Sequence, residues 1–92
     1  MSDIVIRRQH KKKPAAARRS AEHMAAELKE QFGLDYEWDE NVLHFHRPGV
    51  SGDLELDGQE VTLVIRLGFF LSALKPSIEK EIHRFFDENF AA

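Results

Sequence analysis

Apolar residues recur along this chain with two different periods, and the changes of period divide it into elements. Ile4 and Ile6 alternate with Val5 and Arg7, which predicts a strand over residues 4–9. The next apolar positions, Ala17, Ala21, Met24, Ala25, Leu28 and Phe32, fall on one stripe at helical spacing. Pro14 suits the first turn of that helix and Gly33 the residue just past its end, so the spacing predicts a helix over 14–32. On its solvent side Arg18 and Glu22 stand four apart and are expected to pair.

From Leu34 to Leu67 the period drops to two. Turn signals at Asp39-Glu40-Asn41, Pro48-Gly49 and Gly58-Gln59 cut this stretch into four strands. Closing each hairpin with an even loop fixes the registers. Trp38 then faces Leu43, Tyr36 faces Phe45, Leu43 faces Leu54, Leu54 faces Leu63 and Leu56 faces Val61, all on one apolar face. Gly52 falls opposite Phe45, which suggests a packing reason for the glycine. The other face carries Glu37 opposite His44, Asp35 opposite His46 and His44 opposite Asp53. After Gly68 helical spacing returns, with Leu71, Leu74, Ile78, Ile82, Phe85 and Phe86 within an arc of about 120°. Ser72 is a candidate N-cap, Pro76 must lie near the first turn, which leaves the start open by several residues, and the helix is expected to reach about Asn89.

The expected architecture is therefore α+β, in the order β-α-β-β-β-β-α: one antiparallel sheet with two helices packed on one face, forming a single domain over 1–92. The opposite sheet face is expected to stay open, and the position of the first strand in the sheet is left undetermined. At 92 residues such a chain buries roughly 65% of its unfolded-state surface. Seven Phe, with Trp38 and Tyr36, provide the bulk for a core, and the absence of Cys excludes disulfides, thiolate metal sites and Cys nucleophiles.

Charge changes the picture in one respect. The formal net charge is -3, yet residues 1–19 carry seven Lys or Arg against one acid, whereas the remainder carries six against fifteen. The basic run Lys11-Lys12-Lys13 raises nucleic-acid binding as a weak possibility; with no aromatic interleaved, it reads better as a solvated loop. No apolar run approaches the ~20 residues of a membrane-spanning helix, and no hydrophobic signal core is seen, so the expected location is cytoplasmic.

Candidate chemistry is sparse. Glu37, His44 and Asp53 meet on the open face at cross-strand distances, which makes them weak candidate ligands for a divalent metal; a salt-bridged ladder is the favoured alternative, since strong sites usually show more His or Cys. His46 belongs to the same ladder. The serines lie in no nucleophile-elbow context and no Gly-rich phosphate loop precedes a helix, so no catalytic residue and no cofactor is expected. Phe86 and Phe90 lie toward the edge of the last helical stripe, where exposure is one expectation and completion of a thin core the other. With Phe69 and Phe70 they are candidate partner-binding residues.

The segments Leu43-His44-Phe45-His46-Arg47-Pro48-Gly49-Val50-Ser51-Gly52 and Leu67-Gly68-Phe69-Phe70-Leu71-Ser72-Ala73-Leu74-Lys75 resemble, together with Ile4-Val5-Ile6-Arg7-Arg8 and the Ala-rich helix, the polyhydroxyalkanoic acid system proteins of bacteria. The resemblance spans nearly the whole chain, rests on strand, turn and packing residues, and brings no catalytic residue with it. It implies a non-enzymatic accessory role at polyhydroxyalkanoate storage granules, with a granule protein or the polymer surface as partner. A small-ligand or metal-binding domain using the open face is the second expectation. A homodimer through the open face or strand edges is a further possibility.

Overall fold

The computed structural model describes residues 2–90. Five strands, β1 (Ser2–Gln9), β2 (Asp35–Asp39), β3 (Val42–Arg47), β4 (Val50–Asp57) and β5 (Glu60–Leu67), form one antiparallel sheet in the order β1-β5-β4-β3-β2. The α-helices α1 (Pro14–Phe32) and α2 (Lys75–Asn89) complete the expected α+β order. β1 takes the edge beside β5, with Ile4 opposite Ile65 and Ile6 opposite Leu63. Since β2 forms the other edge, α1 carries the chain across the whole sheet before the meander returns strand by strand.

Every hairpin register inferred from alternation is present, including Glu37 opposite His44 and His44 opposite Asp53. Each hairpin turn has two residues, and in each of them one adopts the left-handed backbone: Glu40 (φ 57°), Gly49 (φ 86°) and Gly58 (φ 61°). Gly52 has a packing reason, although its tight neighbour is β5 and not Phe45. A Cβ there would stand 2.5 Å from the Val64 carbonyl oxygen and 2.6 Å from Ile65 Cδ1.

α1 begins at Pro14 and ends where Gly33 (φ 69°) donates its N–H to the Lys29 carbonyl, the left-handed cap that glycine tolerates best. Its buried stripe is Ala17, Ala21, Met24, Ala25 and Leu28. The expected pairing of Arg18 with Glu22 gives way to longer-range contacts. Arg18 lies 3.9 Å above the Trp38 ring and donates to the Glu40 carbonyl, while Glu22 accepts the Trp38 indole N–H at 2.8 Å. Glu22 is also the hydrogen-bond partner that, with burial, pushes the Tyr36 phenol above its ordinary range. These contacts clasp the wet side of α1 to the β2–β3 hairpin.

The chain enters α2 differently from expectation. Phe69–Leu74 is a 3-10 helix, in which about three residues per turn replace the 100° spacing and put Leu71 and Leu74 on one face; Leu71 is half-buried and Leu74 is exposed. Pro76 fits the first turn of the α-helix, which therefore starts at Lys75. Ser72 is no N-cap: its hydroxyl donates to the Phe69 carbonyl.

Candidate functional site

Of the two expectations for Phe86 and Phe90, the structure shows completion of the core, which corrects their candidacy as partner-binding residues. Both lie in the core, at 0% and 2% exposure, and neither is available to a partner. The cause is long-range. Placing β1 beside β5 brings Arg8 over the Phe86 ring at 5.6 Å and the following loop brings His10 against Phe90 at 5.4 Å. His10 Nδ1 accepts the Lys12 backbone N–H, so Nε2 carries the ring proton, and that buried atom has no hydrogen-bond partner among the described residues. Burial, and then the neighbouring Lys12 charge, push its pKa below the ordinary histidine value.

Phe69 and Phe70 are the opposite case. They are 80% and 90% exposed, with their rings in an edge-to-face pair 5.8 Å apart, and they sit in a segment that contributes no fully buried residue. Exposed apolar side chains scattered singly are ordinary, but two adjacent phenylalanines beside an exposed Leu74 form a patch. The backbone beneath is held by the Pro48-Gly49 turn. Gly68 donates its N–H to the Gly49 carbonyl at 2.8 Å, and a Cβ on Gly68 would stand 3.0 Å from that same oxygen. Leu71 and Ser72 in turn donate to the Gly68 carbonyl.

Behind this segment, where α1 ends and α2 begins, the sheet and helices leave an apolar cavity of about 310 Å³. Ile65, Leu67, Leu28 and Ile82 form its buried wall. Leu71, Leu74 and Ile78 form the side toward the 3-10 helix, and the only polar side chains in the lining are Gln31 and Arg47, both exposed. Arg47 donates through Nη1 to the Phe32 carbonyl at the end of α1, at 2.5 Å, which satisfies an orphan helix carbonyl and places a cation at the negative end of the helix dipole. The cavity was not foreseen from sequence. Its nearest signal was the apolar set Leu71, Leu74 and Ile78 on either side of Pro76, which reads as a plain helical stripe.

The open sheet face resolves into an ion-pair ladder. His44 Nδ1 lies 2.5 Å from Asp53 Oδ1, and Arg66 Nη2 donates to Asp53 Oδ2 at 2.8 Å. The second carboxylate at the His44 ring is Asp39, 3.8 Å from Nε2, instead of the cross-strand neighbour Glu37. With both Asp53 oxygens engaged by cationic or N–H partners, the candidate set Glu37, His44 and Asp53 does not form a metal cage. Among the described residues no three His, Cys, Asp or Glu converge to hold one. Nor is any helix among them long and apolar enough to cross a membrane.

Comparison with known proteins adds one decisive match: the family model described as "Putative polyhydroxyalkanoic acid system protein" aligns with residues 4–90. The chain belongs to this family. The match covers both faces of the sheet, both helices and the Phe69–Leu74 segment, so the patch and cavity lie wholly within the conventional extent of the polyhydroxyalkanoic acid system proteins. No curated protein and no solved structure matched the chain.

Proposed function

We propose that this protein is a non-enzymatic, cytoplasmic accessory component of the polyhydroxyalkanoic acid system that binds the polymer surface through Phe69 and Phe70. The observation that carries the reading is their 80% and 90% exposure on a segment with no fully buried residue. Membership of the family supplies the context. Full burial of two phenylalanine side chains against an apolar surface offers about 3–6 kcal/mol before the costs of association. That is enough for reversible adsorption and too little for permanent anchoring. The rings are already held outside the core, so docking them requires no unfolding of the sheet.

Co-sedimentation with protein-free polyhydroxyalkanoate particles tests the reading. The double variant Phe69→Ser, Phe70→Ser is expected to lose most of its particle binding while its melting temperature stays within a few degrees of the parent. Val5→Ser, which removes an exposed apolar side chain from the other sheet face, is expected to bind as the parent does. Equal binding by the double variant overturns the assignment of the surface. Binding to native granules but not to protein-free particles transfers the role to contact with a granule protein.

A further inference from the structure

We infer that the cavity between the end of α1 and the start of α2 binds the aliphatic chain of a medium-length carboxylic acid, with Arg47 holding the carboxylate. Three observations converge on that ligand class. Among the residues lining the cavity, Arg47 is the only charged one, in a chain whose acids outnumber its Lys and Arg sixteen to thirteen. Among the described residues no carboxylate pairs with Arg47. One guanidinium N–H is given to the Phe32 carbonyl, and the group has further donors in a fork that matches a carboxylate.

The shape of the lining fixes the rest of the ligand. Polar side chains occur only among its exposed members, Gln31 and Arg47, whereas Ile65, Leu67 and Ile82 at the buried wall offer no polar side chain. A ligand with a polar group along its chain would lose hydration there without compensation, so the fitting molecule is polar at one end only. The volume of about 310 Å³ is roughly twice that of an apolar cavity that takes up six-carbon benzene, which gives room for a chain of up to about twelve carbons. It also reaches the lower end of the range of about 300–1,000 Å³ usual for ligand sites. This inference does not depend on adsorption to polymer, because Phe69 and Phe70 do not line the cavity.

The probe is decanoate, kept below its aggregation concentration and titrated into the full chain while methyl resonances are followed by NMR. Saturable shifts are expected at Leu71, Leu74 and Ile78, with decanoate bound at least tenfold more tightly than decanol. Arg47→Gln is expected to erase that difference and Arg47→Lys to retain most of it. Because Arg47 also caps α1, folding of each variant is checked by the amide spectrum. Leu74→Trp, a change at an exposed lining residue, gives an independent block and is expected to weaken decanoate binding at least tenfold. The Phe69→Ser, Phe70→Ser variant is expected to bind decanoate normally, so loss of particle binding and loss of ligand binding are separable. Short soluble hydroxyalkanoate oligomers, which carry an ester at every repeat, are expected not to compete; competition by them at decanoate's affinity would contradict a ligand polar at one end only. Absence of saturable shifts, equal affinity for decanol and decanoate, or unchanged binding by Leu74→Trp overturns the inference.

Discussion

At one end of α2, Phe85, Phe86 and Phe90 are no more than 2% exposed; at the other, Phe69 and Phe70 are at least 80% exposed. The residue type is the same and the segments are adjacent in the chain, so hydrophobicity alone does not decide burial. What differs is the cover. The C-terminal end of α2 receives β1 and its following loop, which bring Arg8 and His10 onto the rings. Its side chains also tie to neighbouring elements. Arg8 reaches Asp87 and His83, and Asn89 bridges to His23 and Glu27 of α1. The entry to α2 is hydrogen-bonded to the Pro48-Gly49 turn, and three successive apolar residues, Phe69, Phe70 and Leu71, at about three residues per turn must point to three different faces, of which the core takes only that of Leu71. One end is sealed and the other is left with a cavity and a bare aromatic pair.

The largest test of this contrast is mutational. Phe86→Ala removes a fully buried ring and is expected to destabilise by about 3–5 kcal/mol in a denaturant melt, whereas Phe70→Ala is expected to stay within about 0.5 kcal/mol of the parent. Similar losses at the two positions would mean that the two ends are not distinct. Gly52→Ala, far from both ends, is expected to cost about 2 kcal/mol or more, because its Cβ would meet backbone and side chain of β5 at 2.5–2.6 Å. A smaller and more selective effect concerns the sealed end. The pKa of His10 is lowered in the folded state by burial and by Lys12, so the unfolded chain binds its proton more readily. Its contribution to stability is complete above the unfolded value of about 6.5 and is lost as pH falls through that value toward the lower folded one. The melting temperature is therefore expected to drop between neutral and mildly acid pH, and His10→Phe to flatten part of that slope. An unchanged slope would remove His10 as the cause.

Local chemistry explains what was legible beforehand. Strict alternation and two-residue turns determined all three hairpin registers, and a proline and a glycine bracketed α1 correctly. Apart from the 3-10 entry to α2 and the local bond of Ser72 to Phe69, the misjudged features depend on distant contacts. Nothing in Ile4 to Gln9 says which edge the strand will occupy, and burial of Phe86 and Phe90 follows from that placement. Arg18 prefers the Trp38 face to its helical neighbour because the hairpin lies alongside. His44 sits in the expected register, but rotamers on the open face bring Asp39 and Arg66 into the ladder that Glu37 was expected to share. The cavity is a volume between elements and has no counterpart in the linear pattern.

The central claim is that the bare entry to α2 is the binding end of the molecule. Amide hydrogen exchange, measured with and without protein-free polyhydroxyalkanoate particles, addresses it without altering a residue. The account predicts added protection over residues 68–75 and little change over 82–90 or around His44. Protection confined to the His44 face, with residues 68–75 exchanging as in the free protein, would contradict it.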